Sequence, residues 1–114
     1  SLMARTGVVN RQLTRAIELM ETNIESPVSI GLIGKRVGAS VRHLERLFAR
    51  YFEVSPSQYY MGIRLDIAQR LLSKTDLPIV EVALRCGFSN PSHFTRRYSA
   101  TYEQSPSMSR RAKL

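Results

Sequence analysis

The fold is decided by two stretches that repeat one pattern: SIGLIGKRVGASVRHLERLFARYFEVSP, residues 29–56, and PIVEVALRCGFSNPSHFTRRYSATYEQSP, residues 78–106. The copies align at an offset of 49 residues up to their glycine turns, Gly38 and Gly87, and at 50 residues thereafter. Each copy has the pattern of a short apolar helix, a glycine turn and a second helix with a basic face. This order predicts two helix-turn-helix units in one chain.

The positive charge of the chain lies in the repeated region. Its 114 residues carry 17 Lys and Arg against 9 Asp and Glu, which gives a formal net charge of +8. Residues 1–25 hold three Arg and three Glu, so the whole excess falls within residues 26–114. Fourteen of the 17 basic residues are Arg, the side chain suited to bidentate recognition. The pattern indicates a domain that binds a polyanion.

Apolar periodicity and capping residues predict an all-α fold of about seven helices. The predicted helices cover residues 9–24, 30–37, 41–52, 56–73, 78–86, 91–102 and a short stretch from 106. Ser29, Ser40 and Asn90 are the expected N-caps, and Ser55 begins a capping box with Gln58. The predicted organisation is two helix-turn-helix subdomains, at 8–54 and 75–112, joined by a long central helix, at 55–74. That helix is expected to be a buried rod, with Ile63, Ile67, Ala68, Leu71 and Leu72 along it.

The leading segment precedes the first predicted helix. Residues 1–7 are expected to be a tag remnant or disordered, because Ser1 and Leu2 precede Met3. Helix one is expected to use Leu13, Met20 and Ile24 on its inner face and to end before Pro27.

The second helix of each copy has an inner and an outer face. The inner face is predicted to hold Leu44, Phe48 and Tyr51 in the first copy, and Phe94, Tyr98 and Thr101 in the second. The outer face holds Arg42, Glu45, Arg46 and Ala49 in the first copy, and Ser92, Thr95, Arg96 and Ser99 in the second. An Arg at one outward register recurs after a glycine turn in both copies. This coincidence favours contact with nucleic-acid bases over a merely solvated face.

Glu45 and the small residues inside the first helices each allow a physical interpretation. Glu45 has three: it accepts from cytosine N4, it repels phosphate, or it pairs with Arg42 or Arg46.

Gly34 and Ala83 occupy one register, where a larger side chain is expected to push the two crossing helices apart. The starts of the second helices, at Ser40 and Asn90, offer amides to a phosphate.

Other chemistries find little support in the sequence. One Cys and two distant His do not make a tetrahedral zinc set, so neither a metal nor another cofactor is expected. Cys86 aligns with Val37 and is expected to pack as a small hydrophobe. No catalytic triad, carboxylate pair or phosphate loop can be assembled, so no enzyme is expected. No apolar run reaches the length of a membrane span, and cytoplasmic localisation is expected.

Residues 63–106 resemble the DNA-binding domain of the AraC/XylS family of bacterial transcription regulators. The resemblance rests on AxxCGFS at 83–89, HFxRxY at 93–98 and SP at 105–106, and it extends over about 8–112. It implies two helix-turn-helix subdomains joined by a long helix, which bind two successive major-groove segments of promoter DNA. It also implies a separate N-terminal effector or dimerisation domain outside this chain. One departure is Ser109, where the family usually has an aromatic residue, as at Tyr59; this leaves the docking of helix seven open.

The resemblance also implies which residues touch DNA. Base-reading roles carry over to Arg42, Glu45, Arg46, Ser92, Thr95 and Arg96. Contacts with the DNA backbone are expected from Ser40, Val41, His43, Arg50, Asn90, His93 and Arg97. Two alternatives stay open: a nonspecific or architectural nucleic-acid binder, and a protein-interaction module that contacts RNA polymerase.

Overall fold

The computed structural model describes residues 10–112, and every regular element within that range is an α-helix. The seven helices are α1 (Arg11–Glu21), α2 (Ile30–Val37), α3 (Val41–Phe52), α4 (Pro56–Lys74), α5 (Ile79–Arg85), α6 (Pro91–Tyr102) and α7 (Pro106–Arg111). The all-α prediction is confirmed. The predicted leading segment 1–7, and residues 8 and 9 of the first predicted subdomain, lie outside the described residues.

The described chain divides into two compact units. Unit 1 contains residues 10–23 and 27–62, and unit 2 contains residues 24–26 and 63–112. The division falls inside α4, between Gly62 and Ile63. The first helix-turn-helix, α2 and α3, therefore belongs to unit 1, and the second, α5 and α6, belongs to unit 2.

Side-chain caps set the helix starts as predicted. The Ser29 hydroxyl accepts from the Leu32 amide at 3.1 Å, and Ser55 and Gln58 form a reciprocal capping box at 2.9 and 3.1 Å. Such caps satisfy amides that have no partner inside the helix. Helix α1 ends at Glu21 instead of near residue 24, because Thr22 and Asn23 donate side-chain bonds to the carbonyls of Glu18 and Leu19.

Each unit has its own apolar core. In unit 1 the fully buried side chains come from α1, α2 and α3: Leu13, Ala16, Ile17, Met20, Ile33, Leu44 and Phe48. In unit 2 they come from α4, α5 and α6 together with the start of the second turn: Leu65, Ala68, Leu72, Val82, Ala83, Cys86, Phe88, Phe94 and Tyr98. The expectation that Cys86 packs as a small hydrophobe is confirmed. Of the apolar positions predicted along α4, Ala68 and Leu72 are buried, whereas Ile63, Ile67 and Leu71 are only half-buried.

Two side chains predicted for the inner face of the second helices are exposed instead. Tyr51 is 38% exposed, with the Arg50 guanidinium 5.7 Å from its ring centroid, and Thr101 is also exposed. The inner position in the last turn belongs to the next residue, because Phe52 packs on Tyr59 and Tyr102 packs on Tyr98, with 4.7 Å between ring centroids in both pairs. Consecutive residues point about 100° apart on a helix, so only one of each pair faces the core.

The repeat is longer than the sequence comparison indicated. Leu13, Ala16 and Met20 of α1 correspond to Leu65, Ala68 and Leu72 of α4, and all six are buried. The unit that repeats is therefore a three-helix unit, α1–α2–α3 and then α4–α5–α6. Within unit 2, α4 provides the supporting surface that α1 provides within unit 1.

Candidate nucleic-acid interface

The first turn, between α2 and α3, is held by two hydrogen bonds. Gly38 has φ +73°, as predicted for the residue that ends a helix in the left-handed conformation. The side-chain amide of Gln12 donates to the Gly38 carbonyl at 2.8 Å, and the Ala39 amide donates to the Gly34 carbonyl at 2.9 Å. This network fixes the direction in which α3 begins.

Gly34 is required by the turn itself. A Cβ at position 34 would lie 2.5 Å from the Ala39 carbonyl oxygen and 3.7 Å from Leu44 Cδ1. The predicted crowding is therefore real, but the closest obstacle is the turn backbone, not the second helix. Ala83 is tolerated at the same register of the second copy, where the turn is one residue longer.

The second turn, between α5 and α6, is held by an arginine. Gly87 has φ +87°. Arg64 donates from Nε to the Cys86 carbonyl at 2.8 Å and from Nη2 to the Gly87 carbonyl at 3.0 Å. Its Cζ also lies 4.4 Å from the centroid of the Phe88 ring. Arg64 stands at the register of Gln12, so in each copy a polar side chain from the supporting helix hydrogen-bonds to carbonyls of the turn. The pair of Gln12 and Arg64 was not predicted from the repeat, because the alignment stopped short of α1 and α4, where these two residues correspond.

The starts of α3 and α6 differ in the amides they leave open. The Ser40 hydroxyl accepts only from the His43 amide, at 3.0 Å. The Asn90 side chain accepts from the amides of Ser92 and His93, at 2.8 and 3.2 Å. Pro91 has no N–H group. The first turn of α6 therefore has fewer amides for an anion than the first turn of α3.

The outer face of α3 carries unpaired charges. Arg42, Glu45 and Arg46 are all exposed, as predicted. Within residues 10–112, Glu45 makes no ion pair with either arginine; the ion pair between Glu81 and Arg85, at 3.1 Å, lies on α5. Of the three interpretations of Glu45, internal pairing is therefore not the one seen. All three side chains are free to meet a partner.

The outer face of α6 carries smaller side chains and fewer charges than the outer face of α3. Ser92, Thr95 and Arg96 are exposed, so the predicted outward stripe is present in this copy too. Arg97 is also exposed, whereas Leu47 at the same register of α3 is 7% exposed and belongs to the core. Because Arg97 stands where α3 has a core leucine, α6 carries a second outward cation beside Arg96.

The inner faces of α3 and α6 dock on the following helix in two different ways. In unit 1, Phe48 meets the Tyr59 ring edge-on, with 5.3 Å between centroids. In unit 2, Tyr98 and Ser109 stand at the same registers, and their hydroxyls share a buried hydrogen bond of 2.6 Å. Unit 2 thus has Tyr98 and Ser109 where unit 1 has Phe48 and Tyr59, and a hydrogen bond takes the place of the aromatic contact. This contact explains how α7 docks without the aromatic residue that the family usually has.

Helix α7 is also tied to the end of α4. Arg110 donates from Nε to the Leu72 carbonyl at 3.2 Å and from Nη2 to the Thr75 carbonyl at 3.3 Å. The Tyr102 hydroxyl donates to the Asp66 carboxylate at 2.6 Å. The Arg110 bonds satisfy carbonyls at the end of α4, and the Tyr102 bond holds α6 against α4. The outward stripe of α6 is therefore held in place by contacts on the opposite side of the helix.

Burial changes the titration of three groups behind this surface. Desolvation raises the pKa of the Cys86 thiol to about 11, although the Arg64 charge opposes the shift. Desolvation also raises the pKa of Tyr98, against the effect of its hydrogen bond to Ser109. The pKa of Tyr102 is raised by desolvation and by its bond to Asp66. All three groups are therefore neutral at physiological pH.

Within 10–112 there is no group of three or more His, Cys, Asp and Glu side chains placed to share a metal ion. No helix in that range has the length and apolarity needed to cross a bilayer.

Comparison with known proteins gives a consistent result. The family described as "Helix-turn-helix domain" matches residues 33–112. A crystal structure of a transcriptional regulator from Chromobacterium violaceum, described as containing an AraC-type DNA-binding domain, is 43% identical with a TM-score of 0.85 and covers 90% of this chain and 92% of that one. The chain belongs to the family of AraC-type DNA-binding domains. The predicted resemblance is thus confirmed.

Other relatives of this AraC-type domain are longer proteins. The transcriptional regulators CdhR and ArgR of Pseudomonas aeruginosa are 43% and 40% identical over 106 and 105 residues, which are 93% and 92% of this chain. The chain spans 32% of the length of each. The DNA-binding domain of AdpA, crystallised in complex with a target DNA, is 26% identical, with a TM-score of 0.83 over 90% of this chain and 93% of that one.

Proposed function

We propose that this chain binds double-stranded promoter DNA sequence-specifically in bacterial transcription regulation, with α3 and α6 as its recognition helices. The observation that carries the proposal is the repeated outward stripe. In both copies it follows a capped helix start and a glycine turn, and it presents an exposed Arg, Arg46 or Arg96, at one register. Recognition helices of this motif present such residues to base edges in the major groove. We propose that the two helices enter successive major-groove segments.

On α3 the proposed base contacts are made by three charged side chains. Arg42 and Arg46 can each donate two hydrogen bonds to guanine O6 and N7, and Glu45 can accept from cytosine N4. The absence of an internal ion pair at Glu45 within the described residues supports this role. Each good bidentate pair contributes about 1–3 kcal/mol of discrimination.

On α6 the proposed base contacts are weaker. Arg96 is the charged residue of the stripe, Thr95 offers a methyl group to thymine, and Ser92 offers a hydroxyl. Arg97, exposed beside them, is suited to a phosphate. We therefore infer that α6 contributes less sequence discrimination than α3 and more to positioning the duplex.

The remaining proposed contacts go to the sugar-phosphate backbone. Their side chains can donate to phosphate oxygens from the starts and flanks of the two helices: Ser40, His43, Arg50, Asn90, His93 and Arg97. Val41, at the first position of α3, can offer a phosphate only its main-chain amide. Because Asn90 already engages two amides of α6, phosphate binding by main-chain amides is expected at α3.

Two further partners and a location belong to the proposal. RNA polymerase would be met at the promoter, and the longer regulators among the relatives suggest an effector or dimerisation domain beyond the matched third. The cytoplasm is the proposed location, because bacterial promoter DNA lies there. The DNA contacts proposed above are all made by residues of this chain.

The test is selection of bound duplexes from a random pool, followed by competition with genomic fragments. A specific reader should prefer its selected site by at least about 10³-fold. Phosphate contacts by six to ten basic groups should make log K fall with log salt at a slope of roughly −5 to −9. Strong binding without an enriched sequence would instead identify a nonspecific or architectural binder. A nearly flat salt response would refute DNA binding altogether.

A further inference from the structure

Val41 is an exposed apolar residue at the start of the proposed recognition helix of unit 1. It is the first residue of α3 and is 42% exposed. Local helix energetics do not favour a valine there. A β-branched side chain has a lower helix propensity than most residues, and Ser40 already supplies the cap. An acidic residue would suit the positive end of the helix dipole better.

The second copy makes the position more informative. Pro91 occupies the same register and is also apolar and exposed. Its presence has a local explanation, because proline is favoured at the first position of a helix. Val41 has no such explanation, although its nearest outward neighbours on α3, Arg42 and Glu45, are both charged and exposed.

The chemistry of the major groove supplies a partner for this side chain. The first residues of a recognition helix contact base edges. The side chain of Val41 has no donor or acceptor, so it cannot hydrogen-bond to a base or to a phosphate. The apolar group exposed on the major-groove edge of the base pairs is the 5-methyl group of thymine.

We propose that Val41 contacts the 5-methyl group of a thymine and so determines specificity at one base pair of the site read by α3. This inference rests on the proposed DNA-binding function. It revises the expectation that Val41 contacts only the backbone. It also predicts that α3 distinguishes thymine from uracil, which makes the same base-pair hydrogen bonds without the methyl group.

The experiment uses the 114-residue chain and the tightest duplex recovered from the random pool. Each thymine is replaced in turn by deoxyuridine, and Kd is measured for the wild type, for Val41→Ala and for Val80→Ala. Val80 is a matched control, because it is an exposed valine, 50% exposed, that lies on α5 outside the proposed interface. Burial of one methyl group stabilises by about 0.8 kcal/mol, which corresponds to about fourfold in Kd.

The expected result is about a fourfold loss at one thymine for the wild type and for Val80→Ala, and no loss at that position for Val41→Ala. That thymine should lie in the part of the site that responds to Arg46→Ala. If the selected duplex binds specifically but no thymine shows this dependence on Val41, the contact is refuted while the proposed function stands. If no sequence is enriched at all, the proposed function fails first.

Discussion

Replacing a glycine of α2 by alanine should destabilise the fold at position 34 and stabilise it at position 31. An added Cβ would meet the Ala39 carbonyl oxygen at 2.5 Å, so the oxygen must move by roughly 0.5–1 Å to reach an ordinary contact. Overpacking of this kind costs about 1–3 kcal/mol, whereas Ala instead of Gly in a helix returns about 1 kcal/mol. The obstacle is backbone, held by the Ala39 amide at 2.9 Å. Because backbone cannot move aside as a flexible side chain can, the cost should lie in the upper part of that range, about 2–3 kcal/mol, so we expect Gly34→Ala to lower the free energy of unfolding by about 1–2 kcal/mol net.

Gly31→Ala is the matched control on the same helix. Its added Cβ would meet only the Ser29 hydroxyl, at 3.9 Å, so the substitution should stabilise by up to about 1 kcal/mol. Urea denaturation followed by circular dichroism at the helical band measures both variants against the wild type. In thermal denaturation followed by the same signal, the melting temperature of Gly34→Ala should fall by roughly 5–10 °C. If the two alanine variants shift stability in the same direction, the proposed crowding at the first turn is wrong.

Three further predictions concern the support of the second unit. Tyr98→Phe and Ser109→Ala should each lower the free energy of unfolding by about 0.5–2 kcal/mol, and the double variant should cost less than the sum; additive losses would show that the two hydroxyls are not coupled. Arg64→Met should cost about 2–3 kcal/mol in urea denaturation, because two carbonyls lose a charged donor; unchanged stability would contradict the grip on the second turn. Burial raises the pKa of Cys86 from 9.0 to about 11, so its contribution to stability is complete below pH 9 and is lost as pH rises towards 11. The decline in stability between pH 8 and pH 10.5 should therefore be smaller in Cys86→Ala than in the wild type. An equal decline in both proteins would exclude this thiol as its cause.

The helix starts and the outward stripes could be predicted from the sequence because local chemistry decides them. A Ser or Asn before a periodic segment caps it whatever packs nearby, and Ser29, Ser40, Asn90 and Ser105 all do so. Exposure of Arg46 and Arg96 follows from burial of the opposite face, which the repeat identified twice. The roles of these residues towards DNA are predictions that wait for experiment.

The contacts that close each unit are not indicated by the local sequence, because they join residues distant in the chain. Tyr51 fitted the apolar period as well as Phe52 did, and only the partner ring of Tyr59 decides which one faces inward. The grip of Arg64 on the second turn joins residues more than twenty positions apart. A charged side chain in a helix gives no indication from its own neighbours that it will be used in this way.

The central claim is that Arg46 and Arg96 read bases in two separate parts of one DNA site. The measurement that tests it most directly is a base-by-base binding profile for the wild type, Arg46→Ala and Arg96→Ala. Each variant should weaken specific binding by about 1–3 kcal/mol and relax preference at one localised position. The two positions should lie about one helical turn of DNA apart. If both variants instead lose affinity equally on every sequence, the arginines contact phosphates and the base-reading assignment is wrong.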